Sequence, residues 1–160
     1  HKIGNNINQI ARKMNAGTMN PQRKMKIMDW GWTDNYFYKV IVHDLYAELI
    51  IPQSKHIYFT MNYDHTYSSH PGSAVTFETL GNGYRVKHKN GTIYTFNADG
   101  NLTKLEALGG NTVTISYDGD KRTKVENRCG SFTFTYQGEH IAYISDSAGR
   151  SISLAYKGDF

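Results

Sequence analysis

The sequence predicts a mainly β fold: stacked antiparallel hairpins of about 20 residues each, joined into one continuous sheet, behind one short N-terminal α-helix. Three observations lead there. Aromatic anchors recur at Phe59, Phe77, Phe96, Tyr117, Tyr136 and Tyr156, spaced 18, 19, 21, 19 and 20 residues apart. Each anchor closes an alternating apolar ladder, as in Val113-x-Ile115-x-Tyr117, Phe132-x-Phe134-x-Tyr136 and Ile152-x-Leu154-x-Tyr156. The residues between are mostly Thr and Ser, which suit the other face of a strand. Turn signals then follow the anchors: Gly81-Asn82-Gly83, Asp99-Gly100, Asp118-Gly119-Asp120 and Gln137-Gly138-Glu139. Gly, Asn and Asp supply the positive φ that tight hairpin turns require.

The elements divide at about residue 29. In residues 1–28, Ile3, Ile7, Ile10, Ala11 and Met14 recur at helical spacing, which predicts an amphipathic helix over 4–15. Gly17 and Asn20-Pro21 mark its end. This arm holds Lys2, Arg12, Lys13, Arg23, Lys24 and Lys26 and no acidic residue, a charge of +6. The other 12 Lys and Arg stand against all 14 Asp and Glu, so residues 29–160 carry −2 and the formal total is +4. The positive balance therefore belongs to the arm and not to the body.

From residue 29 to 160 the period is that of strands. Ladders Ile57-x-Phe59, Val75-x-Phe77 and Tyr94-x-Phe96 open the series. Return strands carry Tyr84-x-Val86, Leu102 with Leu105, Val125, and Ile141 with Ile144. A second punctuation ends each repeat at Asn90-Gly91, Gly109-Gly110-Asn111, Cys129-Gly130 and Ala148-Gly149. Arg122 stands where Ile141 stands in the next repeat, which predicts that this return strand faces solvent. The last repeat stops at Phe160, and a bare edge of Ile152, Leu154 and Tyr156 is an aggregation hazard. The expectation is a fragment of a longer array, truncated in its last repeat.

The repeats resemble those of RHS/YD-repeat proteins, in which an aromatic-Asp step is paired with a Gly-Arg-apolar step. The residues that carry this are Tyr117-Asp118-Gly119, Phe96-Asn97-Ala98-Asp99-Gly100-Asn101-Leu102 and Asp146-Ser147-Ala148-Gly149-Arg150. Upstream, Gly31-Trp32-Thr33-Asp34-Asn35-Tyr36 looks like the Gly-Trp-x-x-Asn-Tyr lead-in that precedes the first repeats in bacterial members, so Gly31, Trp32, Asn35 and Tyr36 form a lead-in motif. The resemblance covers roughly residues 30–160. Gln137 and Lys157 replace the Asp, and Lys121 stands where Gly is usual. The resemblance implies a sheet that spirals into a hollow shell, extracellular or on a bacterial cell surface. It would pack against neighbouring repeats and could enclose a toxin domain. Separately, Ile3-Gly4-Asn5-Asn6-Ile7-Asn8-Gln9-Ile10-Ala11-Arg12-Lys13-Met14-Asn15 resembles a segment of MobC-type plasmid mobilisation proteins.

Candidate chemistry is sparse. In the arm, Arg12 and Lys13 suit phosphates, while Asn5, Asn6 and Gln9 could read base edges, so DNA is the partner to test there. His56, His65, His70 and Asp64 lack the spacing of a metal site, and neither metal nor cofactor is expected. Asp118, Asp120, Ser145, Asp146 and Ser147 make no catalytic pattern, so the expectation is a non-enzymatic chain. Cys129 beside Arg128 reads as a turn residue. Tyr58, Tyr63 and Tyr67 are the aromatic residues left for a carbohydrate-stacking surface. No run of about 18 apolar residues exists to span a membrane, and no apolar signal-peptide core begins the chain. The lack of an initiator Met suggests that the true start lies upstream.

Overall fold

The computed structural model describes residues 34–156, in two compact bodies: Asn35–Ile115, and Asp34 with the chain from Ser116 onward. The described chain is mainly β, every strand pairing is antiparallel, and its helical structure is one 3-10 turn, Pro52–Ser54. The predicted helix 4–15, the arm residues Asn5, Asn6, Gln9, Arg12 and Lys13, and Gly31 and Trp32 lie outside the described residues.

In the first body, β1 (Lys39–Val42), β2 (Tyr46–Ile51), β3 (Lys55–Met61) and β4 (Tyr67–Ser69) form a four-stranded sheet in that order. The inward residues Val40, Ala47, Leu49 and Phe59 are buried. A second sheet follows with β5 (Val75–Leu80), β6 (Gly83–His88), β7 (Ile93–Phe96) and β8 (Leu102–Glu106). The start of β9 (Thr112–Asp118) pairs with β8 from Thr112 to Thr114. Phe77, Val86, Phe96 and Leu102 fill its core side, and the Phe59 and Phe77 rings meet at 5.1 Å.

The sequence predicts one continuous sheet; the strands form two. The break falls between β4 and β5. Pro71 has no amide hydrogen to give a ladder, and Gly72 turns the chain at φ +84°. The Val75 carbonyl then accepts the Ser69 and Ser73 hydroxyls at 2.6 and 3.2 Å. Side chains thus satisfy a group that a continuous ladder would have used.

In the second body, the end of β9 is followed by β10 (Lys121–Asn127), β11 (Gly130–Gln137), β12 (His140–Asp146) and β13 (Ser151–Ser153), each beside the next. Val125, Phe132, Phe134, Ile141 and Ile144 are its buried apolar residues.

One five-residue turn recurs through the chain. Its first amide donates to the carbonyl four residues on, and the amide of its fourth residue returns to the first carbonyl. It occurs at 88–92, 97–101, 107–111 and 146–150. Gly91, Gly100, Gly110 and Gly149 hold the fourth place with φ between +77° and +86°. A fifth copy at 62–66 has His65 there, at φ +63°. Gly100 has a second reason to be Gly, since a Cβ would collide with the Val40 carbonyl.

Candidate functional site

Two polar clusters have side chains whose placement follows from strand register. The first lies on the outward face of the four-stranded sheet. Glu48 on β2 stands opposite Tyr58 on β3 and Ile41 on β1, and Tyr46 and Ile50 follow two residues away on the same face. His56 pairs with Ile50, so its imidazole reaches Glu48 diagonally, and its Nδ1 is hydrogen-bonded to Glu48 Oε1. His43 Nε2 approaches Glu48 Oε2 at 3.5 Å from the turn after β1. Burial by itself would raise the Glu48 pKa. The bond and charge of His56, with the Tyr58 hydrogen bond and the approach of His43, outweigh it and hold the carboxyl below its usual range.

Four rings line this face. His43 stacks on Tyr46 at 4.2 Å, the Tyr46 and Tyr58 rings lie 6.0 Å apart at 59°, and His56 follows Tyr58 at 6.3 Å. The face is closed at one end, where Ile50 is fully buried, and open at the other, where Tyr58 is 55% exposed. Val42, Leu45 and Tyr46 are also exposed around the same hairpin.

The second cluster is internal. Arg122 on β10, expected to face solvent, is only 5% exposed, and its guanidinium forms a two-pronged ion pair with Asp34. The Nη1 to Oδ1 arm measures 3.2 Å, and the guanidinium carbon lies 4.8 Å over the Phe134 ring. The expectation failed because a cation can replace an apolar residue where a carboxylate and a ring face meet it in the core. Burial alone would lower the Arg122 pKa; the Asp34 charge outweighs it and raises it. Nearby Tyr117 is pushed up to about 12, first by burial.

The repeat anchors occupy two kinds of place. Phe59, Phe77 and Phe96 are buried, whereas Tyr117, Tyr136 and Tyr156 are half-buried. The Tyr136 hydroxyl donates to the Arg122 carbonyl and the Tyr156 hydroxyl to the Ile141 carbonyl, both at 2.9 Å. Arg122 and Ile141 hold equivalent places in successive repeats, so the anchor tyrosine clasps the return strand of the repeat before it.

Of the other residues singled out in the sequence, Tyr63 is fully exposed in the turn after β3, and Tyr67 packs edge-on against Phe77 at 4.9 Å. Tyr36 is half-buried and Asn35 exposed. Cys129 is exposed, with its amide bound to Asn127 Oδ1 at 2.8 Å. The Asp64 carboxylate accepts from the Thr66 hydroxyl and amide, which fixes it within its turn. Among the described residues, no group of three or more His, Cys, Asp or Glu is placed to hold a metal ion, and no helix is long and apolar enough to cross a membrane. Of the outer-face cluster, Tyr58 alone stands out in the sequence as a surface candidate. Tyr46 and Glu48 were legible only as alternate positions of a strand whose other face, Ala47 and Leu49, is apolar.

Comparison with protein families matches residues 1–29 to the bacterial mobilisation protein family (MobC). No curated protein matches the chain.

Proposed function

We propose that residues 34–156 serve as a non-enzymatic structural β-repeat segment, of the kind found in RHS/YD-repeat shells and surface scaffolds of bacteria. The observation that carries this reading is the serial hairpin construction. From β5 to β8, and again from β10 to β13, each strand pairs with the next in sequence. The same Gly turn punctuates them, and anchor tyrosines bind the preceding return strand. Such construction makes each repeat depend on its neighbours, which suits a wall more than a pocket. In a full shell, the partners would be further repeats and, in a toxin-delivery protein, an enclosed toxin domain; the location would be extracellular or at the cell surface. Native-state hydrogen exchange on the full chain tests the reading. Phe134→Ala should lower protection most in β10 to β12 and progressively less with distance along the array. An equal loss at every strand would show one cooperative globule and sink the repeat reading.

A second reading is favoured by the mobilisation-protein match: the arm contacts duplex DNA. Its six cations bound the effect, because each phosphate neutralised adds about −0.9 to the slope of log affinity against log salt. Fluorescence anisotropy with duplex DNA should give a slope no steeper than about −5, and binding should vanish when residues 1–28 are removed. Binding that survives this deletion would place the contacts on the β body and contradict the arm reading.

A further inference from the structure

The outward face of the β1–β2–β3 sheet has a use that a packing element does not require. Two tyrosine rings, Tyr46 and Tyr58, form an open wedge at 6.0 Å and 59°. The Glu48 carboxylate stands beside it, opposite Tyr58 and two residues from Tyr46. We propose that this wedge binds a small organic ammonium ion, its methyl groups against the two ring faces and its charge next to Glu48.

The hydrogen bonding around Glu48 selects this ligand class. A carboxylate offers about four lone-pair positions. His56 takes one, and Tyr58 and His43 also interact with it. Fewer acceptor positions are left for the hydroxyls of a sugar than a free carboxylate would offer. A cation needs no lone pair of its own, and the two ring quadrupoles attract it beside the carboxylate. Asp44, exposed in the turn between β1 and β2, adds a second carboxylate to the neighbourhood. Lys39, which shares this face, has its ammonium on the Asp99 carbonyl and Asn101 Oδ1, both at 2.7 Å. It is thereby drawn toward the closed end. The imidazoles of His43 and His56 flank the rings and fix their tilt.

Isothermal titration of the full chain with choline chloride, and in parallel with its neutral isostere 3,3-dimethylbutan-1-ol, tests the proposal. Choline should bind at least about tenfold more tightly than the isostere, the margin expected when ring faces and a carboxylate both recognise charge. Tyr46→Leu and Tyr58→Leu should each weaken choline several-fold, Tyr58→Phe should keep most of the affinity, and Glu48→Gln should narrow the gap between choline and the isostere. Equal affinity for the two compounds overturns the proposal, as does the absence of choline binding or full displacement of choline by maltose. The comparison of the two compounds on the unaltered chain stays decisive even if a leucine variant fails to fold.

Discussion

Arg122 shows how a single residue can be misjudged from its type. A buried ion pair gains little over apolar packing, yet losing one partner strands the other charge in the core. Asp34→Ala or Arg122→Met alone should therefore destabilise by about 3–5 kcal/mol in urea unfolding. The double variant should recover a large part of that loss, and equal losses in single and double variants would show that the pair is not coupled. Phe134, beneath the guanidinium and 5% exposed, should cost about 3–5 kcal/mol when changed to Ala. A loss below about 1 kcal/mol would place it on the surface and break the phase assigned to β11.

At the scale of the element, the five-residue turn is the unit of design. Four copies place Gly where φ is positive; the copy at 62–66 places His65 there, in exposed surroundings. A non-Gly residue in this region costs about 1–2 kcal/mol, partly offset by the greater unfolded freedom of Gly. His65→Gly should accordingly stabilise the chain by up to about 1 kcal/mol, seen as a raised thermal midpoint. Gly100→Ala should do the reverse and cost more than about 2 kcal/mol, because strain and a collision with the Val40 carbonyl act together. The ladders also bulge at two anchors, between Thr95 and Phe96 and between Thr135 and Tyr136. The extra residue, Thr103 or Ala142, lies on the return strand opposite the anchor, which the bulge bends without ending.

For the molecule as a whole, the carboxylates set the acid limit. Burial opposes ionisation of Glu48 and Asp146, but hydrogen bonds and positive partners prevail, and both pKa values are lowered; at Glu78 the Lys87 bond is the leading cause. The folded state thus binds protons less readily than the unfolded chain, whose carboxylates titrate near about 4. The stability these groups contribute is present above that value and is lost as pH falls through their lower folded values. Urea midpoints measured from about pH 6 to about pH 3 should decline, and the decline should be shallower in a Glu48→Gln, Asp146→Asn variant. An unchanged slope would show that neither carboxylate is linked to unfolding in this range.

The sequence by itself determined the fold class, because a period of two with turn signals every 20 residues or so admits only hairpins. It also located the charge: +6 in residues 1–28 and −2 beyond. Tertiary structure decided where the sheet breaks, since that depends on Ser69 and Ser73 meeting one carbonyl after Pro71 and Gly72. It decided the burial of Arg122, because its partner Asp34 lies 88 residues away. It also assembled the outer-face cluster, because His43, Glu48 and His56 meet only once three strands are in register. Periodicity reports which face a residue takes, and only pairing reports what it finds there.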